Sequence, residues 1–110
     1  MEITTKKEAK ATVVKVIGRM DAVTAPVFEK GLRDLIEGGE LVFIIDFSDL
    51  DYISSAGLRG LLVIAKQLKG KSGQIRCAGA TGAVKEVFAI SGFGAIFKMD
   101  ETVAAALGDV

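Results

Sequence analysis

The stretch DYISSAGLRGLL at positions 51–62 sets two adjacent serines and a glycine between an aromatic–aliphatic pair and an apolar run. A plain turn is served by Asn-Gly or Pro-Gly; paired hydroxyls ahead of a helical pattern point instead to a hydroxyl presented at a helix start. Ser54 or Ser55 falls at the N-cap of that helix, where backbone N–H groups lack intrahelical partners. A serine there caps the helix, and the same place suits a phosphate acceptor. A phosphoryl group on Ser55 would carry roughly −1.5 to −2 charges and face the positive end of the helix dipole. Arg59, four residues on, shares a helical face with Ser55 and offers a cation to pair with it. Unmodified, the same arginine is a solvated surface residue.

Other chemistries are poorly served. The chain has no histidine, which removes the commonest general base, the Ser-His-Asp arrangement and the commonest zinc ligand. Its single cysteine, Cys77, cannot build a structural zinc site and sits inside a predicted strand, as a buried structural thiol does. GKSG at 70–73 lacks the glycine at Ala65 that a phosphate-binding loop requires, and it follows a helix instead of joining a strand to one. Asp21 and Asp46 are two acids without a third ligand; a helix-start cap and a strand-end turn explain them. Phe93 and Phe97 with Ile90 are expected in the core under the last helix, part of them available as a docking patch. These residues predict a protein that is not an enzyme and needs no metal or cofactor of its own.

Half of the 110 residues are hydrophobic and a quarter charged, with 14 basic against 14 acidic side chains. That length suits one domain spanning 1–110, with one core. A neutral total gives no electrostatic reason to expect nucleic acid or an anionic membrane as partner. The N-terminal MEITTKKEAK lacks the apolar segment of a signal peptide, and no apolar stretch approaches the roughly 18 residues of a membrane span. A lone cysteine fits a reducing cytoplasm.

The elements that must hold the serines follow from periodicity. EITTKKE (2–8) predicts a polar edge strand hairpinned onto ATVVKVIG (11–18), and LVFIIDF (41–47) suits a central strand buried on both faces. QIRCAG (74–79) and AIFKM (95–99) complete a sheet of about five strands. Phe28, Leu32, Leu35 and Ile36 form one stripe over 25–37, with Thr24 as N-cap, Pro26 in the first turn and Gly38-Gly39 ending the helix. Leu58, Leu61, Leu62, Ala65 and Leu68 repeat at helical spacing over 56–69, closed by Gly70. Val84, Val87, Phe88 and Ser91 do so over 82–91, stopped by Gly92. A last helix, 100–108, starts at Asp100 and buries Val103 and Leu107. The order β-β-α-β-α-β-α-β-α predicts an α/β fold with right-handed crossovers, a largely parallel sheet and an antiparallel first strand. SDLDYISSA is then the crossover loop at the carboxyl end of the central strand, the edge where ligands and partners meet open α/β sheets.

IDFSDLDYISSAGLRGLL, with GRMDAVTAPVFEKGL upstream and CAGATGAVKEVFAISGF downstream, resembles the STAS domain of bacterial anti-sigma factor antagonists. The resemblance covers nearly the whole chain and implies the STAS fold, a small mixed sheet flanked by about four helices. It also implies a partner: an anti-sigma factor that is a serine kinase of the histidine-kinase-like ATPase type. That kinase phosphorylates a serine in a D-S-[S/T]-G-L loop, and only the unphosphorylated antagonist binds it and frees the sigma factor. A phosphatase would reverse the modification.

Matched on Gly57-Leu58, the acceptor corresponds to Ser55, with Asp21 at a recurring acidic position beside the same surface and Asp46 at another position that is acidic or an amide. The docking surface so implied comprises Asp21, Ser54, Ser55, Ala56, Gly57, Leu58 and Arg59. Ser54 replaces the usual aspartate and Ala56 the usual Ser or Thr, which makes Ser54 a second possible acceptor. The alternative reading is a STAS scaffold or ligand-sensing module that is never phosphorylated, in stress signalling or attached to anion transport.

Overall fold

The computed structural model describes residues 1–110. β2 (Thr12–Met20) organises the sheet. On one side it pairs antiparallel with β1 (Glu2–Lys7); on the other it pairs in parallel with two successive short strands, β3 (Val42–Asp46) and β4 (Leu50–Ile53). Beyond β3 lie β5 (Gln74–Ala78) and β6 (Lys98–Asp100), both parallel, so the path reads β1-β2-β3-β5-β6 with β4 attached to β2. The sheet therefore has six strands, where spacing alone predicts about five. The extra strand, β4, falls in the segment expected to be a crossover loop.

Four helices, α1 (Ala25–Glu37), α2 (Ser55–Gly70), α3 (Gly82–Ser91) and α4 (Val103–Asp109), complete the chain. Val14 and Val16 of β2 and Phe43 and Ile45 of β3 point to one face of the sheet, where they meet Phe28, Leu32 and Ile36 of α1 and Leu58, Leu61, Ile64 and Leu68 of α2. Each such large side chain removed from water contributes about 1.5–3 kcal/mol. Val84 and Phe88 of α3 join the same core. The opposite face is covered by α4 alone, which seats Ala106 on Ala11, Ile44 and Ala78, with Val103 and Leu107 partly buried around it.

Several local expectations are corrected. Thr24 holds the N-cap position of α1 as expected, but its side chain caps no helix N–H: its hydroxyl accepts from the Asp21 N–H at 2.8 Å and donates to the Arg19 carbonyl at 2.9 Å. α4 begins after Thr102, whose hydroxyl accepts from the Ala105 N–H, two residues later than a start at Asp100. The last strand lies at 98–100 instead of 95–99, because Gly92 adopts φ +80° and turns the chain into a 3-10 segment at Phe93–Ala95. Phe97 is buried, but against Phe88 and Phe93 on the α3 face and not under α4, while Ile90 stays exposed.

Candidate functional site

Because β2, β4, β5 and β6 run the same way, their carboxyl ends share one edge of the sheet. Asp21 follows β2 there and Ser54 follows β4. The two are tied through the backbone: the Ser54 N–H donates to the Met20 carbonyl at 2.9 Å.

The two serines do different work. Ser54 is extended (φ −94°, ψ 174°) and half-buried, its Oγ accepts from the Gly57 N–H at 3.3 Å, and its carbonyl accepts the Leu58 N–H at 3.0 Å. It is the N-cap. Ser55 is the first helical residue, is exposed, and takes no part in that cap. Its hydroxyl stands at the positive end of a 16-residue helix whose first turn carries no acidic side chain.

Gly57 lets the helix come this close to the sheet. A Cβ there would lie 2.8 Å from Ile53 Cγ1 and 3.0 Å from both Cγ and the carbonyl oxygen of Met20. No side chain fits without moving β2 or β4. Leu58, next in the chain, is buried in the core, so it anchors the loop and does not face solvent.

Asp21 folds the turn into α1. Its Oδ1 accepts from the N–H groups of Val23 and Thr24, each at 3.0 Å, and its carbonyl accepts the Ala25 N–H at 2.8 Å. The Thr24 N–H above all, with that of Val23 and the Arg19 cation, holds this carboxyl below the ordinary aspartate range, against a smaller opposing effect of desolvation. Asp46 makes the equivalent turn after β3, its Oδ1 accepting from the Ser48 N–H at 2.9 Å. Asp21 and Asp46 thus serve two separate turns. No three Cys, Asp or Glu side chains cluster as metal ligands would.

Ala56 and Arg59 sit on the wall of an open cleft of about 290 Å³ between the starts of α1 and α2, with Val63 beside them and Ala22, Pro26 and Glu29 opposite. Val23, Val27 and Val63 are exposed around these helix starts, at 82%, 58% and 41% of their surface. Sequence reasoning missed this apolar contribution. The signal was present: Val23 and Val27 lie off the buried stripe of Phe28, Leu32 and Ile36. Behind Asp21, the Arg19 guanidinium stacks over the Tyr52 ring at 4.2 Å, another pair that spacing does not bring together. Cys77 is fully buried in β5, and burial pushes its thiol pKa far up, so it takes no part.

A mixed sheet with a hydroxyl presented at a helix start, beside an acidic turn and an apolar cleft, makes this a small α/β domain. A family model described as STAS domain matches residues 2–106, and the chain belongs to that family. Within it the likeness is to anti-sigma factor antagonists. BtrV of Bordetella bronchiseptica, a candidate anti-sigma factor antagonist by name, is 36% identical over 106 residues, 96% of this chain and 91% of that protein. The crystal structure of an anti-sigma factor antagonist from Mycobacterium paratuberculosis matches with TM-score 0.89 and 25% identity, over 99% of this chain and 92% of the other. The Bacillus cell fate determinant SpoIIAA, solved in a phosphorylated form, shares the fold at TM-score 0.75 and 19% identity, over 98% of each chain.

Proposed function

We propose that this chain is a one-domain, cytoplasmic anti-sigma factor antagonist that works by binding and catalyses nothing. Its partner is an anti-sigma factor that is also a serine kinase of the histidine-kinase-like ATPase type, and Ser55 is the switch. In the free form the exposed hydroxyl, Arg59 and the cleft between α1 and α2 dock against the kinase, which brings the ATP and its magnesium. Phosphorylation of Ser55 puts a charge into that docking surface. An interfacial charge left without its partner costs on the order of 2–5 kcal/mol, enough to release the complex. A phosphatase returns the chain to its binding form.

The observation that carries this reading is the division of labour between the two serines. Ser54 spends its hydroxyl on Gly57 while Ser55, one residue on, is exposed and free of the cap. That favours Ser55 over Ser54 as acceptor. It also explains how a sequence lacking the usual aspartate at 54 still holds the loop: a serine caps a helix as well as an aspartate does. BtrV and the Mycobacterium protein, both described as anti-sigma factor antagonists, support the partner class, and SpoIIAA is a member of the fold that exists phosphorylated.

The test is intact-mass measurement after incubation with an anti-sigma factor kinase and ATP, together with binding to the same kinase. Gain of one phosphate, lost in Ser55→Ala, supports the switch. Tight binding with unchanged mass would make the chain an unmodified scaffold, and nucleotide turnover by the chain alone would make it an enzyme.

A further inference from the structure

The two edges of the sheet are unequal. β6 ends it with three residues, whereas β1 ends it with six, all exposed except Ile3, and no other segment pairs with its outer side. Past Lys7 the Glu8 N–H donates to the Ala11 carbonyl at 2.8 Å, continuing the register in which Lys7 faces Thr12. In an antiparallel ladder, alternate residues aim both backbone groups at the same neighbour. Positions 2, 4, 6 and 8 therefore bond to β2, while Ile3, Thr5 and Lys7 direct their N–H and C=O groups away from the sheet. A free row of this kind is a template for another strand.

Lysines on an edge strand ordinarily repel such pairing. In β1, however, Lys6 and Lys7 stand at one end and Glu2 at the other. Parallel pairing in register would set each charge on its like. Antiparallel pairing about a twofold axis crosses the ends instead, and it requires one residue to meet its own copy. With the axis at Thr4, Glu2 lies opposite the copy's Lys6, Ile3 opposite Thr5, and Thr4 opposite Thr4, each contact repeated by symmetry. With the axis at Thr5, Glu2 faces Glu8 and Thr4 faces Lys6; with the axis at Ile3, Glu2 faces Thr4 and no charges are paired. Opposite charges and Thr–Thr pairs across strands stabilise a sheet and facing like charges destabilise it, so charge selects the Thr4 axis. Both charges are available for it. Glu2 has no ion pair within the chain, and Lys6, its side chain 79% exposed, meets only Glu8, at 3.3 Å.

We infer that β1 pairs antiparallel with β1 of a second copy about a twofold axis at Thr4, joining two sheets into one. A six-residue strand is much smaller than the roughly 20–30 residues a side of a stable interface, so the dimer forms at high local concentration and parts on dilution. The pairing uses neither Ser55 nor the cleft between α1 and α2.

Sedimentation velocity on the full chain should show monomer at about 10 μM and a growing dimer fraction between about 0.1 and 1 mM. Glu2→Lys and Lys6→Glu each set like charges opposite one another twice, and each should weaken association at least about tenfold. The double variant exchanges the two charges and should recover the original affinity to within about threefold. Cysteines read the register. Thr4→Cys puts two sulfhydryls on a non-hydrogen-bonded pair with Cα atoms about 4.5 Å apart, within disulfide reach. Thr5→Cys leaves them two residues, about 7 Å, out of line along the strand. With oxidised glutathione, Thr4→Cys should give cross-linked dimer at least about tenfold faster than Thr5→Cys, and buried Cys77 does not compete. Sedimentation independent of concentration up to about 1 mM, a double variant no tighter than the single ones, or equal cross-linking of the two cysteine variants would each overturn the assignment.

Discussion

The Ser54 N–H donates to the Met20 carbonyl at 2.9 Å and so binds the residue after β4 to the last residue of β2. One hydrogen bond thereby sets the two candidate segments side by side, since Asp21 follows Met20 and Ser55 follows Ser54. The serine loop is therefore positioned by the sheet and not by its own flexibility.

The two serines should separate cleanly on substitution. Ser54→Ala removes the cap and should cost about 1 kcal/mol of stability while leaving phosphate incorporation intact. Ser55→Ala should abolish phosphate incorporation, keep kinase binding and leave melting temperature nearly unchanged. Denaturation and intact mass on the same preparations decide it; phosphate found on Ser54 would reverse the assignment.

Gly57→Ala should destabilise the fold by about 1–3 kcal/mol, because its methyl group would press on Ile53 and on both backbone and side chain of Met20. Chemical denaturation gives the loss. A neutral result would mean that β4 and α2 separate more easily than their packing implies.

Asp21→Asn keeps an oxygen to accept from Val23 and Thr24, so melting temperature should change little. It removes the carboxylate charge beside the serine loop, and phosphorylation of Ser55 should slow. Loss of stability with a normal phosphorylation rate would make Asp21 a structural residue only.

Stability should be flat from about pH 5 to 8, since no histidine titrates there. It should fall in acid. The Thr24 N–H lowers the pKa of Asp21, the Lys7 ammonium that of Glu40 and the Arg76 guanidinium that of Asp109. For each, the unfolded chain binds the proton more readily, so its contribution is complete above the ordinary value, 3.8 for the aspartates and 4.5 for the glutamate. It is lost as pH falls through the lowered folded value. Melting temperature against pH should thus break below about pH 4, and less steeply in Glu40→Gln.

The long helices were legible because one stripe of large apolar residues sufficed: α1 over 25–37 and α3 over 82–91 coincide with their spacing. β4 was not. Only Leu50 and Ile53 of its four residues are buried, with exposed Asp51 and Tyr52 between them, and its pairing depends on the far end of β2 after a bulge at Gly18–Arg19. No local pattern carries that. Within the site, the serine pair showed in spacing, Asp21 and the preference for Ser55 came only with the family resemblance, and which serine caps the helix needed the geometry. The cleft between α1 and α2 is a product of tertiary approach, invisible until two distant helix starts meet.

The seclusion of Cys77 gives the protein a native reporter of its own opening. A thiol-labelling reagent reaches that sulfur only when β5 leaves the sheet, so modification proceeds at a rate set by the open population. Because the chain holds a single sulfhydryl, each modified molecule records one opening event, with no background from a second site. Labelling with and without a bound kinase would then read the coupling between docking and core stability directly, on the unmutated chain.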